Sequence, residues 1–306
     1  MRFISEEQSS AVITHEMAYA AMREALLAAV DPASVSFPVV LGHGSDPLNR
    51  FTIKSAAGAD IAGLKIGSFW PDNPAKGLPR HNSTILLIDQ ESGRIGTVIE
   101  AGKVNAYRTG AADAVAADRL ARANASTLAV FGAGYQARYE CAALARIRPI
   151  RTILIVARNA AKAEAFAREL RAEGFDASAE TAEAACKAAD ILVTATSSRA
   201  PLFAAEWVRP GTHIASMGSD ATGKQELPPE LFARARLFCD LVEQSRRIGE
   251  FQHAAPGLPV VAIGEVLSER HPGRSSPEDI TIFDSSGLSL QDLFMARHLL
   301  NAVPIE

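Results

Sequence analysis

The chain has 306 residues, 48% of them hydrophobic and 22% charged, which is enough apolar surface for two domains and excludes a disordered chain. A formal net charge of −4, with no run of Lys or Arg, excludes a polyanion-binding surface, so no nucleic-acid partner is expected. Cys141, Cys186 and Cys239, odd in number and without C-x-x-C spacing, give neither a disulfide framework nor a zinc site.

The first ten residues, MRFISEEQSS, show no basic region followed by an apolar core, and no stretch approaches the length of a membrane span. A cytoplasmic protein without membrane association or bound metal is expected. Residues 5–30 place Ala18, Met22 and Leu26 at helical spacing after Ser5-Glu6-Glu7, which predicts one or two amphipathic helices. Between residues 37 and 99 the pattern changes to short alternating or apolar runs (RFTIKSA, IAGLKIGSFW, STILLID, IGTVIEA) separated by turn signals, which predicts an antiparallel sheet. An alanine-rich helix is predicted over residues 107–123. Strand and helix then alternate through TILIV, AAKAEAFARELRAE, ADILVTATS, THIASMG and ARLFCDL to DITIFDSSG and a terminal helix over 288–300. That alternation predicts an α/β fold, a doubly wound parallel Rossmann sheet, preceded by an α+β domain for substrate and dimerisation. The expected boundaries are 1–114 for the first domain, with 284–306 folding back onto it, and 115–283 for the second.

The parallel sheet opens at residues 126–138, STLAVFGAGYQAR. A buried apolar strand runs into Gly132-Ala133-Gly134 and then a helix beginning near Tyr135 and Gln136. Gly132 suits the tight turn, Gly134 allows a pyrophosphate to approach the backbone, and Ala137 fills the small third position of G-x-G-x-x-G/A. The free amides of the helix then face the anion, so residues 132–136 form the predicted dinucleotide site. At the end of the second strand, Arg158-Asn159 stands where an acidic residue would bind the ribose hydroxyls of NAD; an arginine there can meet a 2′-phosphate, which favours NADP(H) over NAD(H). Thr196 and Ser197, after ADILVTA, are expected at the cofactor edge. Residues 218–225, GSDATGKQ, imitate a phosphate-binding loop of nucleotide triphosphatases. Gln225 lacks the metal-binding hydroxyl and Pro228-Pro229 do not suit the required helix, so that reading is rejected and Lys224 is read as a cofactor contact.

Six segments together resemble the ornithine cyclodeaminase/μ-crystallin family. They are Gly63-Leu64-Lys65, Pro71-Asp72-Asn73 with Gly77-Leu78-Pro79, Tyr107-Arg108-Thr109-Gly110-Ala111-Ala112, the GAGYQA loop, Met217-Gly218-Ser219-Asp220 with Gly223-Lys224-Gln225-Glu226-Leu227, and Asp284-Ser285-Ser286-Gly287 with Gln291-Asp292. The resemblance implies a homodimer formed through the N-terminal sheet domain, a Rossmann domain binding NAD(H) or NADP(H), and chemistry at a carbon bearing an amino or imino group beside a carboxylate. It puts Lys65 and Arg108 at the carboxylate-binding positions, with Lys65 also counted as catalytic, and Asp220 at the acid/base position. A guanidinium grips a carboxylate with two parallel hydrogen bonds while an ammonium adds a compact charge. Taken by themselves, Lys65 and Arg108 read as surface or partner-paired cations and Asp220 as an Asx turn or helix cap. The resemblance also sets Thr109, Met217, Gly218, Ser219 and Ser286 beside the cofactor.

One departure separates this chain from the cyclodeaminases. Their early Pro-x-Arg arginine has no counterpart in Phe37-Pro38-Val39-Val40, whereas Lys54 and His81 of HNST, with Gln244-Ser245, Gly249-Glu250 and His253, resemble the branch of iminosuccinate reductase and ectoine-utilisation proteins. Lys54 and His81 are therefore expected on the substrate side, where a second cation suits a distal carboxylate. The leading expectation is NAD(P)H-dependent reduction of a 2-imino acid, or its reverse. The alternatives are an ornithine-type cyclodeaminase with tightly bound NAD and no net redox change, and a non-catalytic NADPH-binding protein of crystallin type.

Overall fold

The computed structural model describes residues 1–304. The chain divides into two compact units, residues 1–108 with the chain from Leu288 onward, and Thr109–Gly287. The first change of unit falls at 108/109 rather than at 114/115, inside one continuous helix, and the Asp284-Ser285-Ser286-Gly287 turn belongs to the second unit.

Unit 1 begins with β1 (Arg2–Ile4), α1 (Glu6–Val12) and α2 (His15–Ala28). Two helices form instead of one because Ser5 and Gln8 make a capping box for α1 and Thr14 caps α2 by accepting from the Met17 amide. Then follow β2 (Val35–Ser36), β3 (Val40–His43), β4 (Arg50–Ala57), β5 (Ala62–Phe69), β6 (His81–Ile88) and β7 (Ile95–Glu100). The sheet order is β1-β7-β6-β5-β4-β2, with β3 also on β4. Neighbours from β2 to β7 are antiparallel as expected, while β1 joins the edge in parallel. Alternation along the strands turns Lys54, Lys65, Ile85 and Ile99 to the buried face in one cross-strand row. The opposite face carries Val40, Ile53 and Ile66 in one row and Phe3, Val98, Leu86 and Leu64 in the next. Phe3, Val40 and Ile66 remain exposed.

The next helix, α3 (Gly102–Leu120), starts five residues before the predicted residue 107. The Glu6 carboxylate accepts from the amides of Gly102 (2.7 Å) and Lys103 (2.8 Å), so the helix is capped by a side chain distant in sequence. At its other end the Arg148 guanidinium donates to the carbonyls of Ala117, Asp118 and Ala121.

Unit 2 continues as β8 (Thr127–Phe131), α4 (Tyr135–Ile147), β9 (Thr152–Val156), α5 (Ala160–Ala172), β10 (Asp176–Ala179), α6 (Ala182–Ala188), β11 (Ile191–Thr194), β12 (His213–Ser216), β13 (Ala235–Cys239), α7 (Val242–Ile248), β14 (Val260–Ala262), α8 (Ile263–Leu267) and β15 (Ile280–Asp284). Its eight strands are all parallel in the order β10-β9-β8-β11-β12-β15-β13-β14. The reversal of strand order beside β8 is the switch point at which such sheets bind ligands. The short β10 and β14 were not foreseen: DASA and VVA are too brief to show a period. The last helix, α9 (Ser289–Ala302), belongs to unit 1 and packs across β4, β5 and β6 on the Lys65 face. All three cysteines are free and buried.

Candidate functional site

In unit 1, Lys54 and Lys65 face each other directly across β4 and β5, 8% and 5% exposed. Like charges opposite one another in a strand pair are unfavourable, and burial sharpens the cost. Lys65 Nζ donates to Asn105 Oδ1 (3.0 Å) and lies 3.2 Å from Asp292 Oδ2. Arg108, also buried, donates to Asn105 Oδ1 (2.8 Å) and Gln291 Oε1 (3.2 Å), and its Nε is 3.3 Å from Asp292 Oδ1. Burial first, then the Arg108 and Lys54 charges, push the Lys65 ammonium down to about 7 against the pull of Asp292. Lys65 therefore sits with two further cations and one carboxylate, an excess of positive charge that suits an anion.

His81 stands at the start of β6 on the same sheet face, four residues from the row of Lys65, so about 13 Å along the strand. It is exposed and stacked 4.9 Å from the Phe69 ring. The structure thus brings Lys54, Lys65 and Arg108 together and leaves His81 at the rim. Asn105 and Asp292 had no assigned role. Asn105 precedes Arg108 by three residues on α3, a spacing that marks a shared helix face, but the helix was predicted to begin after it. Asp292 sat in the Gln291-Asp292 motif without a partner to name.

In unit 2 the turn after β8 is built as its sequence requires. Gly132 has φ +126°, and a Cβ there would lie 2.8 Å from Ala195 O, so only glycine fits. Gly134 is the N-cap of α4 and offers no side-chain acceptor to the first amides, whereas Asn159 caps α5 and Thr181 caps α6. Among the described residues, no atom beyond its chain neighbours and its own helix backbone lies within 4 Å of a Cβ at Gly134. The amide-rich end of α4 is thus left uncapped, open and beside the switch point, which fits a pyrophosphate. Ala133 is half-buried, Tyr135 exposed with its hydroxyl 2.9 Å from that of Tyr139, and Gln136 Nε2 donates to Glu140 Oε1 (2.7 Å).

At the end of β9, Arg158 is exposed, and Asn159 spends its side chain on the Lys162 amide (3.0 Å). A hollow of about 270 Å³ beside them is lined by Ala157, Ala160, Ala163, Ala179, Glu180 and Thr181. Thr109 is half-buried in the middle of α3, not in a first turn. After β12, Met217 is 8% exposed and Ser219 buried, while Asp220 is exposed and ion-paired with Lys224 Nζ (2.5 Å), which also donates to Gly218 O (3.0 Å). Lys224 therefore orients Asp220. Ser197 is exposed, but the Thr196 amide and hydroxyl both go to Glu226, a buried residue with no role assigned from sequence. Ser286 is buried and accepts from Gln244 Nε2 (2.8 Å). Among the described residues no group of three or more His, Cys, Asp and Glu could hold a metal ion, and no helix is long and apolar enough to cross a membrane.

The sequence model of the ornithine cyclodeaminase/mu-crystallin family matches residues 38–303. The chain belongs to that family. It is 36% identical to the iminosuccinate reductase of Paracoccus denitrificans over 305 residues, 97% of this chain and 95% of that protein. The structure of that reductase in complex with NAD+ superposes with a TM-score of 0.90, covering 99% of this chain and 96% of the other at 35% identity. An alanine dehydrogenase of Archaeoglobus fulgidus is 40% identical over 242 residues, 77% of this chain and 75% of that one. An archaeal alanine dehydrogenase dimer with bound NAD gives a TM-score of 0.90 at 32% identity, covering 99% and 95%.

Proposed function

We propose that this protein is an NAD(P)-dependent oxidoreductase that reduces a 2-imino acid to the amino acid, or runs the reverse reaction. The observation that carries the reading is the buried Lys65–Arg108 pair, held by Asn105 and Asp292 with Lys54 opposite. So much buried positive charge is unfavourable unless an anion completes it. Arg108 and Lys65 hold the α-carboxylate, and the depressed Lys65 ammonium is drawn into its charged form as the carboxylate binds. Lys54 suits a distal carboxylate, so iminosuccinate-type substrates are expected to turn over faster than monocarboxylate imines, with His81 at the outer edge of the pocket. A bound nicotinamide cofactor supplies or accepts the hydride. Residues 132–136 hold its pyrophosphate, with Thr109, Thr196, Ser197, Met217, Gly218, Ser219, Lys224 and Ser286 around the remainder. Asp220, oriented by Lys224, exchanges the proton on the substrate nitrogen.

Arg158, exposed at the strand end, favours NADP(H), although two structural relatives were obtained with NAD. We further propose a homodimer through the uncovered apolar face of the unit 1 sheet, around Phe3, Val40 and Ile66.

The test is consumption of NADPH or NADH by purified protein with oxaloacetate or pyruvate plus ammonia, and with Δ1-pyrroline-2-carboxylate. Stoichiometric oxidation of reduced cofactor is expected, with Asp220→Asn losing at least about a hundredfold in kcat. Ammonia release from ornithine without added reductant, or binding without turnover, would overturn the reading.

A further inference from the structure

Beyond the cofactor contacts stand a motif residue, Glu226, and two of the residues that set this chain apart from the cyclodeaminases, Glu250 and His253. They meet beneath the ends of β11 and β12. Glu226 is fully buried. Its Oε1 accepts from the Thr196 amide and hydroxyl, both at 2.7 Å. Its Oε2 accepts from Thr194 Oγ1 (2.8 Å), the Gly218 amide (3.0 Å) and Ser216 Oγ (3.3 Å). One carboxylate thus ties the loop after β11 to the loop after β12. The contact is tight, since a Cβ at Gly218 would lie 2.2 Å from Thr196 O and 2.6 Å from Glu226 Oε1.

Glu250, also fully buried, supports the other side. Its Oε1 accepts from the Leu227 amide (2.8 Å), the Glu226 amide is shared between Oε1 and Oε2 at 3.1 Å each, and Oε2 lies 3.3 Å from Ser216 Oγ. Two neighbours extend the scaffold along the loop that carries Asp220: Gln252 Oε1 accepts from the Gly223 amide (2.8 Å), and His253 Nε2 donates to Lys224 O (2.8 Å).

We propose that Glu226 and Glu250 are positioning residues that share one proton through Ser216 and hold residues 194–198 and 216–220, and with them Asp220, in working geometry. The proposal rests on the reading of unit 2 as a nicotinamide-cofactor platform. The donors assign the proton. Glu226 accepts five hydrogen bonds, from two backbone amides and three hydroxyls, which calls for the anion. Glu250 has only two amide donors, both within reach of Oε1, so Oε2 can carry a proton and donate to Ser216 Oγ, whose own proton then points to Glu226 Oε2. Two adjacent buried anions would repel, and the chain holds one charge between them. Burial raises both carboxyls, Glu250 to about 7. The charged and titratable groups around the pair are Asp284, which accepts from the Glu250 amide, Asp240 beyond it, Lys224 on the supported loop, and His253, which donates to the Lys224 carbonyl. A purely structural carboxylate would stabilise the fold without giving cofactor binding a pH dependence.

The experiment titrates NADH and NADPH by fluorescence between pH 6 and 8.5 into wild type, Glu226→Gln and Glu250→Gln, with kcat and KM measured in parallel. Glutamine at 226 offers one acceptor oxygen to two loops, so cofactor Kd is expected to rise about tenfold or more, with a fall in kcat. Wild-type affinity is expected to weaken severalfold as pH rises through about 7, when the second charge appears. Glutamine at 250 imitates the protonated acid, so this variant is expected to match wild type at pH 6.5 and to lose the pH dependence. It carries the test even if Glu226→Gln fails to fold. Wild-type binding with Glu226→Gln folded and within twofold in both Kd and kcat, or Glu250→Gln with an unchanged pH profile, overturns this proposal alone. Failure of wild type to bind either cofactor overturns the platform reading and this proposal with it.

Discussion

Replacing Lys65 by methionine removes an ammonium and keeps a flexible apolar stem of similar length. In the unfolded chain this lysine ionises near 10.5; in the folded protein burial, Arg108 and Lys54 bring it to about 7. Each pH unit between the two is worth about 1.4 kcal/mol, so Lys65 costs the folded protein on the order of 4 kcal/mol at pH 7. The sign follows from proton counting. Between pH 7 and 10.5 the unfolded chain binds the proton and the folded protein does not, so stability rises with pH across this window. The cost is largest below 7 and vanishes above 10.5. Asn105 and Asp292 both keep Arg108 as a partner in the variant, which limits the offsetting loss. Lys65→Met without substrate is therefore expected to be more stable than wild type by about 2–4 kcal/mol at pH 7 and by about 1 kcal/mol at pH 9.5, while losing turnover. Guanidinium unfolding followed by circular dichroism at both pH values measures this. A variant less stable than wild type at pH 7, or a difference that does not shrink with pH, would refute the reasoning that this site stores unfavourable charge for its ligand.

Arg158→Asp should weaken NADPH binding about tenfold or more and leave NADH binding within a few-fold, the size of one charge-assisted contact; equal loss for both cofactors would remove the 2′-phosphate role. Ile66→Arg places a charge at the exposed end of the apolar row Val40, Ile53 and Ile66 and should give a monomer by light scattering, and a surviving dimer would locate the interface elsewhere. Glu6→Ala strips the acceptor from the amides of Gly102 and Lys103 and should lower stability by about 1–2 kcal/mol in urea unfolding; an unchanged midpoint would show that water caps α3 equally well.

Local pattern carried much of the fold. The apolar run ending in Gly132-Ala133-Gly134 specifies a strand, a turn available only to glycine and an uncapped helix, because each depends on neighbours in sequence. β9 was placed to the residue for the same reason. The alternation that turns Lys54 and Lys65 to one face is likewise local, and the family motifs named Lys65, Arg108 and Asp220. What the pattern could not carry is any partner brought from afar. The start of α3 depends on Glu6, and so Asn105 was left outside the helix that aligns it with Arg108. Asp292 and Glu226 read as ordinary polar residues until the fold closes Lys65 on one and the ends of β11 and β12 on the other. Sequence by itself determined which residues are charged and which way their strands turn them. Only the tertiary structure decided how many charges share one dry space, because Coulomb interaction and desolvation depend on distance and burial rather than on spacing along the chain.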